Sequence, residues 1–250
     1  YDSVFIQGKS DSEKYMKKYF NDWQAQGVTS VLHEKRGGYA NNTSSIYALA
    51  DKAEAEGVRI LTGTEVKGFE FGSNSNAVTG IETDKGLIKC DNVIVGAGPW
   101  VKTFWDMMDL PNRISIKNSN GEMHNDVPMW QYWFLTEGVL GVEPGFLKTE
   151  DGQMPPVLHV DTDAPLYSDV DKSLITDKLW GIYYKPDFHF NGIQGGASPY
   201  KVGKAGGEGI SVDPYGPKSS EFTLDDDFAH MWTSALAHCH KRFEGKSSLF

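Results

Sequence analysis

A run of apolar, β-forming residues ends in a glycine turn before the middle of this 250-residue chain, at residues 92–100 with the sequence NVIVGAGPW. Glycines at the carboxyl end of a strand allow the backbone to approach a flat or phosphorylated ligand closely. The run does not complete the GxGxxG pattern of a first dinucleotide-binding turn, because Val101 stands at the third glycine position. The residues alone leave two interpretations open: a tight turn after a buried strand, and a turn that lies against a ligand.

The hundred residues that lead to this turn are predicted to alternate helices with short strands. A capping-box spacing at Ser10 and apolar residues at helical spacing predict a first helix that continues to about Gly27. A second helix is predicted from Thr43 to Gly57. Period-two patterns predict strands at 58–60, 66–71, 78–83, 87–89 and 93–95. We expect an antiparallel meander over 66–87, beside a sheet that contains 58–60 and 93–95 and carries the second helix.

The middle of the chain, residues 110–200, is rich in β-forming and aromatic residues, most clearly at 129–135 and 179–184. Side chains alternate along a strand, so Trp180, Ile182 and Tyr184 should share one face. Tyr183 and Lys185 should share the other face. The aromatic residues could form the core of a sandwich or the wall of an apolar pocket, and the sequence leaves both open. The glycine-rich residues 203–209 are predicted to form a flexible loop.

The chain ends in a predicted amphipathic helix that Thr223 caps, with acidic residues 225–227 at its start and basic residues 241–242 at its end. Its buried stripe is predicted to consist of Phe228, Met231, Trp232, Ala235, Leu236, Cys239 and Phe243. His238 and His240 flank Cys239, but adjacent helical residues point in different directions. We therefore expect a core cysteine between two solvated histidines, and no metal site.

The composition excludes several classes of function. Acidic residues outnumber basic ones by 34 to 24, a net charge of −10 that argues against a nucleic-acid partner. No apolar run reaches the roughly 18 residues of a membrane span. Two cysteines fit a reducing compartment, so a cytoplasmic location is expected. Because the chain lacks both an initial Met and a targeting segment, it is interpreted as a segment of a longer polypeptide.

Three segments, taken in order, resemble the D-amino-acid oxidase/sarcosine oxidase/glycine oxidase family of FAD-dependent oxidoreductases (the DAO family). They are residues 37–66 with GGYANNTSSIYAL at their start, residues 78–100, and more loosely residues 181–199. The resemblance implies that the backbone of Val66 lies against adenine. It also implies that Gly96, Ala97, Gly98 and Trp100 pack against the flavin side of the dinucleotide, beneath an aromatic substrate domain that covers the isoalloxazine ring.

The chain departs from the family pattern at two positions and at both ends of the resemblance. Asn42 stands where a proline is usual, and Lys185 replaces the arginine of the Tyr-x-Arg-Pro pattern. A lysine cannot offer the bidentate fork that arginine gives a carboxylate. The family's N-terminal GxGxxG and C-terminal flavin segment are absent. The substrate pocket is expected to draw on Tyr39, Tyr184 and Lys185.

The resemblance implies an α/β plus antiparallel β (α+β) fold, part of a Rossmann-like FAD-binding domain with an antiparallel substrate-binding sheet. The expected domains are a partial FAD-binding domain at 1–109 that lacks the first βαβ unit, a substrate domain at 110–220, and a helix at 221–250 packed on the substrate sheet. The implied activity is FAD-dependent oxidation of an amine or amino acid, with hydride transfer to flavin and an imine product. The alternative is a non-catalytic subunit or binding module that kept the fold and lost the cofactor site. Expected partners are a small amine or amino-acid substrate and the remainder of the polypeptide or a partner subunit.

Overall fold

The computed structural model describes residues 2–74, 76–129, 137–198 and 226–250. These residues form two compact units. The sheet unit contains residues 2–40, 137–198 and 226–250, and the meander unit contains residues 41–74 and 76–129. These divisions differ from the domain boundaries expected at 109 and 220, since the first forty residues join the sheet unit. The assignment of cofactor and substrate domains stays a prediction.

The sheet unit contains two helices and eight strands among its described residues. These are β1 Ser3–Gln7, α1 Lys9–Met16, β2 Ser30–Glu34, β8 Glu137–Leu140, β9 Leu158–Thr162, β10 Leu166–Tyr167, β11 Leu174–Thr176, β12 Trp180–Asp187, β13 Gly192–Ser198 and α4 Asp226–Cys239. The meander unit consists of α2 Asn42–Ala55, β3 Val66–Phe71, β4 Val78–Thr83, β5 Gly86–Lys89, α3 Val101–Met107, β6 Arg113–Lys117 and β7 Met123–Pro128. Every strand pair in the described ranges is antiparallel, which confirms the mixed helix and antiparallel sheet content. The Rossmann-like part of the expected fold stays a prediction.

The centre of the sheet unit is a four-stranded sheet in the order β8-β13-β12-β9. One face of this sheet, its inner face, carries apolar side chains and packs against α4. Trp180, Ile182 and Tyr184 all lie on this face and are almost completely buried, whereas Tyr183 and Lys185 lie on the other face. The predicted alternation of faces is therefore confirmed.

Helix α4 supplies the other half of this core. All seven residues of the predicted stripe are buried, from Phe228 to Phe243. The expectation that both neighbours of Cys239 are solvated is wrong, because His240 has no exposed surface. The helix ends at Cys239, so the following residue turns into the core among the rings of Phe20 and Trp23, with centroids 4.8 and 5.0 Å away.

An N-terminal segment that the sequence predicts to be continuous helix also packs into this core. Helix α1 ends at Met16, well short of Gly27. A turn follows instead, after which Trp23 forms an antiparallel bridge with His240, and the amide of Gln24 donates to the Cys239 carbonyl at 2.9 Å. Burial of Phe20 and Trp23 against α4 outweighs the local helical pattern.

A charged clamp joins three distant parts of the sheet unit. Arg242 donates through Nε and Nη2 to the two oxygens of Asp22, with the Nε bond at 2.7 Å. Its Nη1 donates to the carbonyls of Phe146 and Lys148 at 2.9 and 3.2 Å. Burial raises the pKa of Asp22, but the nearby imidazole of His240 and the hydrogen bonds from Arg242 outweigh it and hold that pKa well below its usual range.

In the meander unit, part of the structure predicted from the sequence is confirmed and part is wrong. Helix α2 begins at Asn42 after its cap, Asn41, whose side chain accepts from the Ser44 amide at 2.9 Å. Strands β3, β4 and β5 form the expected meander. Residues 58–60 and 93–95 are not strands, and α2 buries none of its residues, so the expected packing of this helix on them is wrong. No described segment pairs with them, and a strand needs a partner for its backbone.

Some predictions lie outside the described residues: the strand at 129–135 beyond its first residue, the loop at 203–209, and the cap at Thr223 with Asp225. None of the described helices is long and apolar enough to cross a bilayer. The cytoplasmic location stays a prediction.

Candidate substrate and cofactor sites

The second face of the four-stranded sheet, its outer face, is polar where the inner face is apolar. The register places there the side chains of Glu137, Val139, His159, Asp161, Tyr183, Lys185, Asp187 and Gln194. Among the described residues, this face carries an ordered set of aromatic and charged groups instead of the apolar side chains that a core requires. The outer face is therefore the candidate substrate site.

Tyr183 and Glu137 form the centre of this face. They stand in one row across β12, β13 and β8, with Gly196 between them. Because that glycine carries no side chain, the Tyr183 hydroxyl crosses β13 and donates to Glu137. Gln194 donates to the second carboxylate oxygen at 3.1 Å, and the ring of His159 stacks on Tyr183 with centroids 5.7 Å apart.

The protonation of Tyr183 follows from this environment. Burial, the hydrogen bond to Glu137 and the negative charge of Glu137 all raise the pKa of Tyr183 well above its usual range. The phenol therefore keeps its proton across the physiological range and acts as a fixed donor to the carboxylate.

Lys185 lies one row further along the same strand. Its Nζ is 3.3 Å from an oxygen of Asp187 and 4.6 Å from the ring centroid of Tyr39. Burial raises the pKa of Asp187, but hydrogen bonds from the amides of Phe190 and His189, together with Lys185, outweigh it and lower that pKa. The chain thus brings Tyr39 and Lys185 together although 145 residues separate them in sequence.

Tyr184 is placed elsewhere. It is fully buried on the inner face, and its hydroxyl lies 2.7 Å from Nε2 of His240. Of the three expected pocket residues, two therefore meet on the outer face and the third lies in the core.

Sequence reasoning missed Glu137, His159, Asp187 and Gln194. Period-two alternation assigns Asp187 to the face of Lys185, so that residue could have been found. The other three depend on the register with β8, β9 and β13, which no local pattern specifies.

The expected cofactor residues all lie in the meander unit. Val66 begins β3 and pairs with Thr83 of β4. Gly96 and Ala97 lie in an irregular segment, and a 3₁₀ turn from Gly98 to Trp100 leads into α3. Helix α3 packs on β3 through Phe104 and Phe69, whose ring centroids are 6.2 Å apart. An open cleft of about 400 Å³ lies close to Val66, lined by residues 60–62, 64, 83 and 85–88.

Comparison with known proteins begins with a family model that matches part of the chain. The family model for FAD-dependent oxidoreductases, DAO, matches residues 11–128. This segment is therefore similar to the DAO family of FAD-dependent oxidoreductases. The cofactor of that family is FAD.

Two further comparisons concern individual proteins, one by sequence and one by structure. It is 42% identical over 45 residues to an NADH oxidase of Mycoplasma genitalium, which is 18% of this chain and 9% of that protein. The crystal structure of L-proline dehydrogenase from P. horikoshii matches 96% of this chain with a TM-score of 0.51 and 17% identity, so the likeness is one of fold. The chain spans 48% of that structure's length, about half.

The backbone of the glycine turn leaves room for a planar ligand such as the cofactor of the DAO family. Gly98 has φ of +52°, a backbone conformation that disfavours other residues. A Cβ added at Gly96 or Gly98 would meet no atom of the described residues within 4 Å, so these residues leave the backbone of the turn open to an incoming ligand. The side chain of the neighbouring Ile94 is 95% exposed, and such an apolar surface can be covered by another apolar group.

Proposed function

We propose that this chain contributes to the FAD-dependent oxidation of an amine or amino acid, and that the outer face of its sheet receives the substrate. The observation that carries the proposal is the group of Tyr183, Glu137 and Lys185 in two neighbouring rows on the outer face of the sheet. It supplies a fixed hydroxyl donor, a carboxylate and an ammonium within one surface. These are the groups that orient a small polar amine.

FAD, when bound, accepts a hydride from the carbon that carries the substrate nitrogen, and the resulting imine hydrolyses in water. The protein residues orient that carbon and set the charge around the nitrogen. Tyr183 holds Glu137 in a single orientation, and His159 supports the Tyr183 ring by stacking on it. Tyr39 and Asp187 fix the position of Lys185 in the same way.

For the cofactor, we propose that the backbone at Val66 contacts adenine and that the turn from Gly96 to Trp100 lies against the flavin side. Support comes from the open backbone of the two glycines and from the packing of α3 on β3, which makes both segments parts of one unit. Glycines leave room for close approach of a planar ring, and a larger residue would occupy that room.

The test is flavin reduction under anaerobic conditions. The natural full-length protein, loaded with FAD, is mixed with a panel of amines and amino acids, and loss of the flavin absorbance is followed. We expect reduction by at least one substrate, slowed by about tenfold or more in Tyr183→Phe, because Glu137 loses its donor. The matched control is Tyr167→Phe, an exposed tyrosine of β10 in the same unit. Equal rates in both variants would refute the assignment of the outer face, and a protein that binds no flavin would refute the proposed function.

A further inference from the structure

The charges of the outer face are unequal. Among the described residues of its four strands, this face carries three carboxylates, Glu137, Asp161 and Asp187, and one ammonium, Lys185. The carboxylate of Asp161 lies directly over Gly181, where a Cβ would be 2.1 Å from its oxygen. The electrostatic potential at this surface therefore favours positive ligands.

The single ammonium is already neutralised. Lys185 pairs with Asp187, and the ring of Tyr39 covers it from another direction, so that only 19% of the lysine side chain is exposed. Amides of the following turn hold Asp187 at 2.7 and 3.0 Å, which keeps the carboxylate beside the lysine. A substrate carboxylate would have to displace this ordered partner, and an ammonium offers it no bidentate geometry in return.

The carboxylate of Glu137 has a different environment. Its two oxygens accept hydrogen bonds from Tyr183 and Gln194, which are both neutral. In the ranges that the structure describes, no ion pair balances its charge. The ring of Tyr183 lies beside it, with the ring of His159 stacked on that tyrosine, and aromatic faces attract cations.

From these three observations, and resting on the proposed function, we infer that the substrate is a cationic amine without a carboxylate group. Its ammonium lies against Glu137 and the Tyr183 ring. Lys185 acts as a structural ion-pair partner, so the position that matches the family's arginine does not select for an amino acid.

The test compares two ligands of similar size and opposite charge, benzyltrimethylammonium and phenylacetate, by calorimetric titration of the FAD-loaded full-length protein. We expect the cation to bind at least about tenfold more tightly than the anion. Glu137→Gln should weaken binding of the cation about tenfold and should leave binding of phenylacetate unchanged or make it tighter. Glu13→Gln, an exposed residue of α1, is the control and should change neither.

A second pair of variants addresses Lys185. Asp187→Asn keeps an acceptor for the turn amides but removes the countercharge, so phenylacetate binding should tighten. Lys185→Met should leave the cation bound. Tighter binding of phenylacetate by the unmodified protein, binding of neither ligand, or an unchanged cation affinity in Glu137→Gln would overturn the inference.

Flavin reduction separates this inference from the proposed function on which it rests. Reduction by amines that lack a carboxylate, in preference to α-amino acids, supports both. Faster reduction by α-amino acids than by amines without a carboxylate would overturn the inferred substrate class but leave the proposed flavin-dependent oxidation unaffected. Failure of every amine and amino acid to reduce bound flavin overturns both.

Discussion

Replacing Arg242 with methionine should destabilise the sheet unit strongly. The substitution keeps the length of the aliphatic stem but removes the paired hydrogen bonds to Asp22 and the bonds to two carbonyls. Breaking a buried ion pair costs about 3–5 kcal/mol, and these side chains are 19% and 15% exposed, so we take the lower end, about 3 kcal/mol. For a protein of this size, that corresponds to roughly 6–12 °C in melting temperature.

The assay is urea unfolding followed by tryptophan fluorescence at pH 7 and at lower pH. Because the folded pKa of Asp22 is depressed, its contribution is complete above the ordinary aspartate pKa of about 3.9 and is lost as the pH falls further. In Arg242→Met, burial remains and raises that pKa, so the stability gap to the unmodified protein should narrow between pH 5 and pH 3. The control is Lys241→Met, which removes the neighbouring charge. Equal urea midpoints for the two variants at pH 7, or a gap that does not narrow, would refute the reasoning.

Three further outcomes are expected. Gly98→Val should abolish FAD binding, measured by absorbance after gel filtration, whereas Gly152→Val, at a positive-φ turn in the other unit, should cost stability but retain flavin. Tyr184→Phe should lower the free energy of unfolding by about 1–3 kcal/mol because Nε2 of His240 loses its partner, and Tyr167→Phe should change it little. Burial lowers the pKa of His240 despite Asp22, so stability should fall as the pH drops below about 6.5, and His240→Asn should flatten this slope in urea titrations at pH 7.5 and 5.

Local sequence patterns were sufficient to predict the structure where a single helix or strand buries one of its faces. The stripe of α4 and the alternation along β12 could be predicted because helical and strand periods decide which side chains meet a core. The meander was predictable for a related reason, since turn residues separate its short strands. In each case the information lies within about fifteen consecutive residues.

Patterns failed where long-range packing competes with local preference. The helical spacing from Tyr15 to Trp23 is real, but the chain leaves the helix after Met16 and buries Trp23 beside His240. The apolar run at 93–95 likewise has strand composition without a strand, because a strand forms only against a partner. Neither outcome could be read from the segments themselves.

The candidate substrate site depends both on local periodicity and on long-range packing, so only part of it could be predicted from the sequence. Strand period alone places Lys185 opposite the core, but its meaning depends on what else reaches that face. Tyr39 arrives from the first forty residues, and Glu137 arrives through the register of β8 with β13. These contacts change the chemistry. A lysine alone indicates a carboxylate ligand. A lysine paired with Asp187, beside a Glu137 that has no ion-pair partner among the described residues, indicates a cation. The residue type was visible in the sequence, and the sign of the charge it leaves for a ligand depends on the tertiary structure.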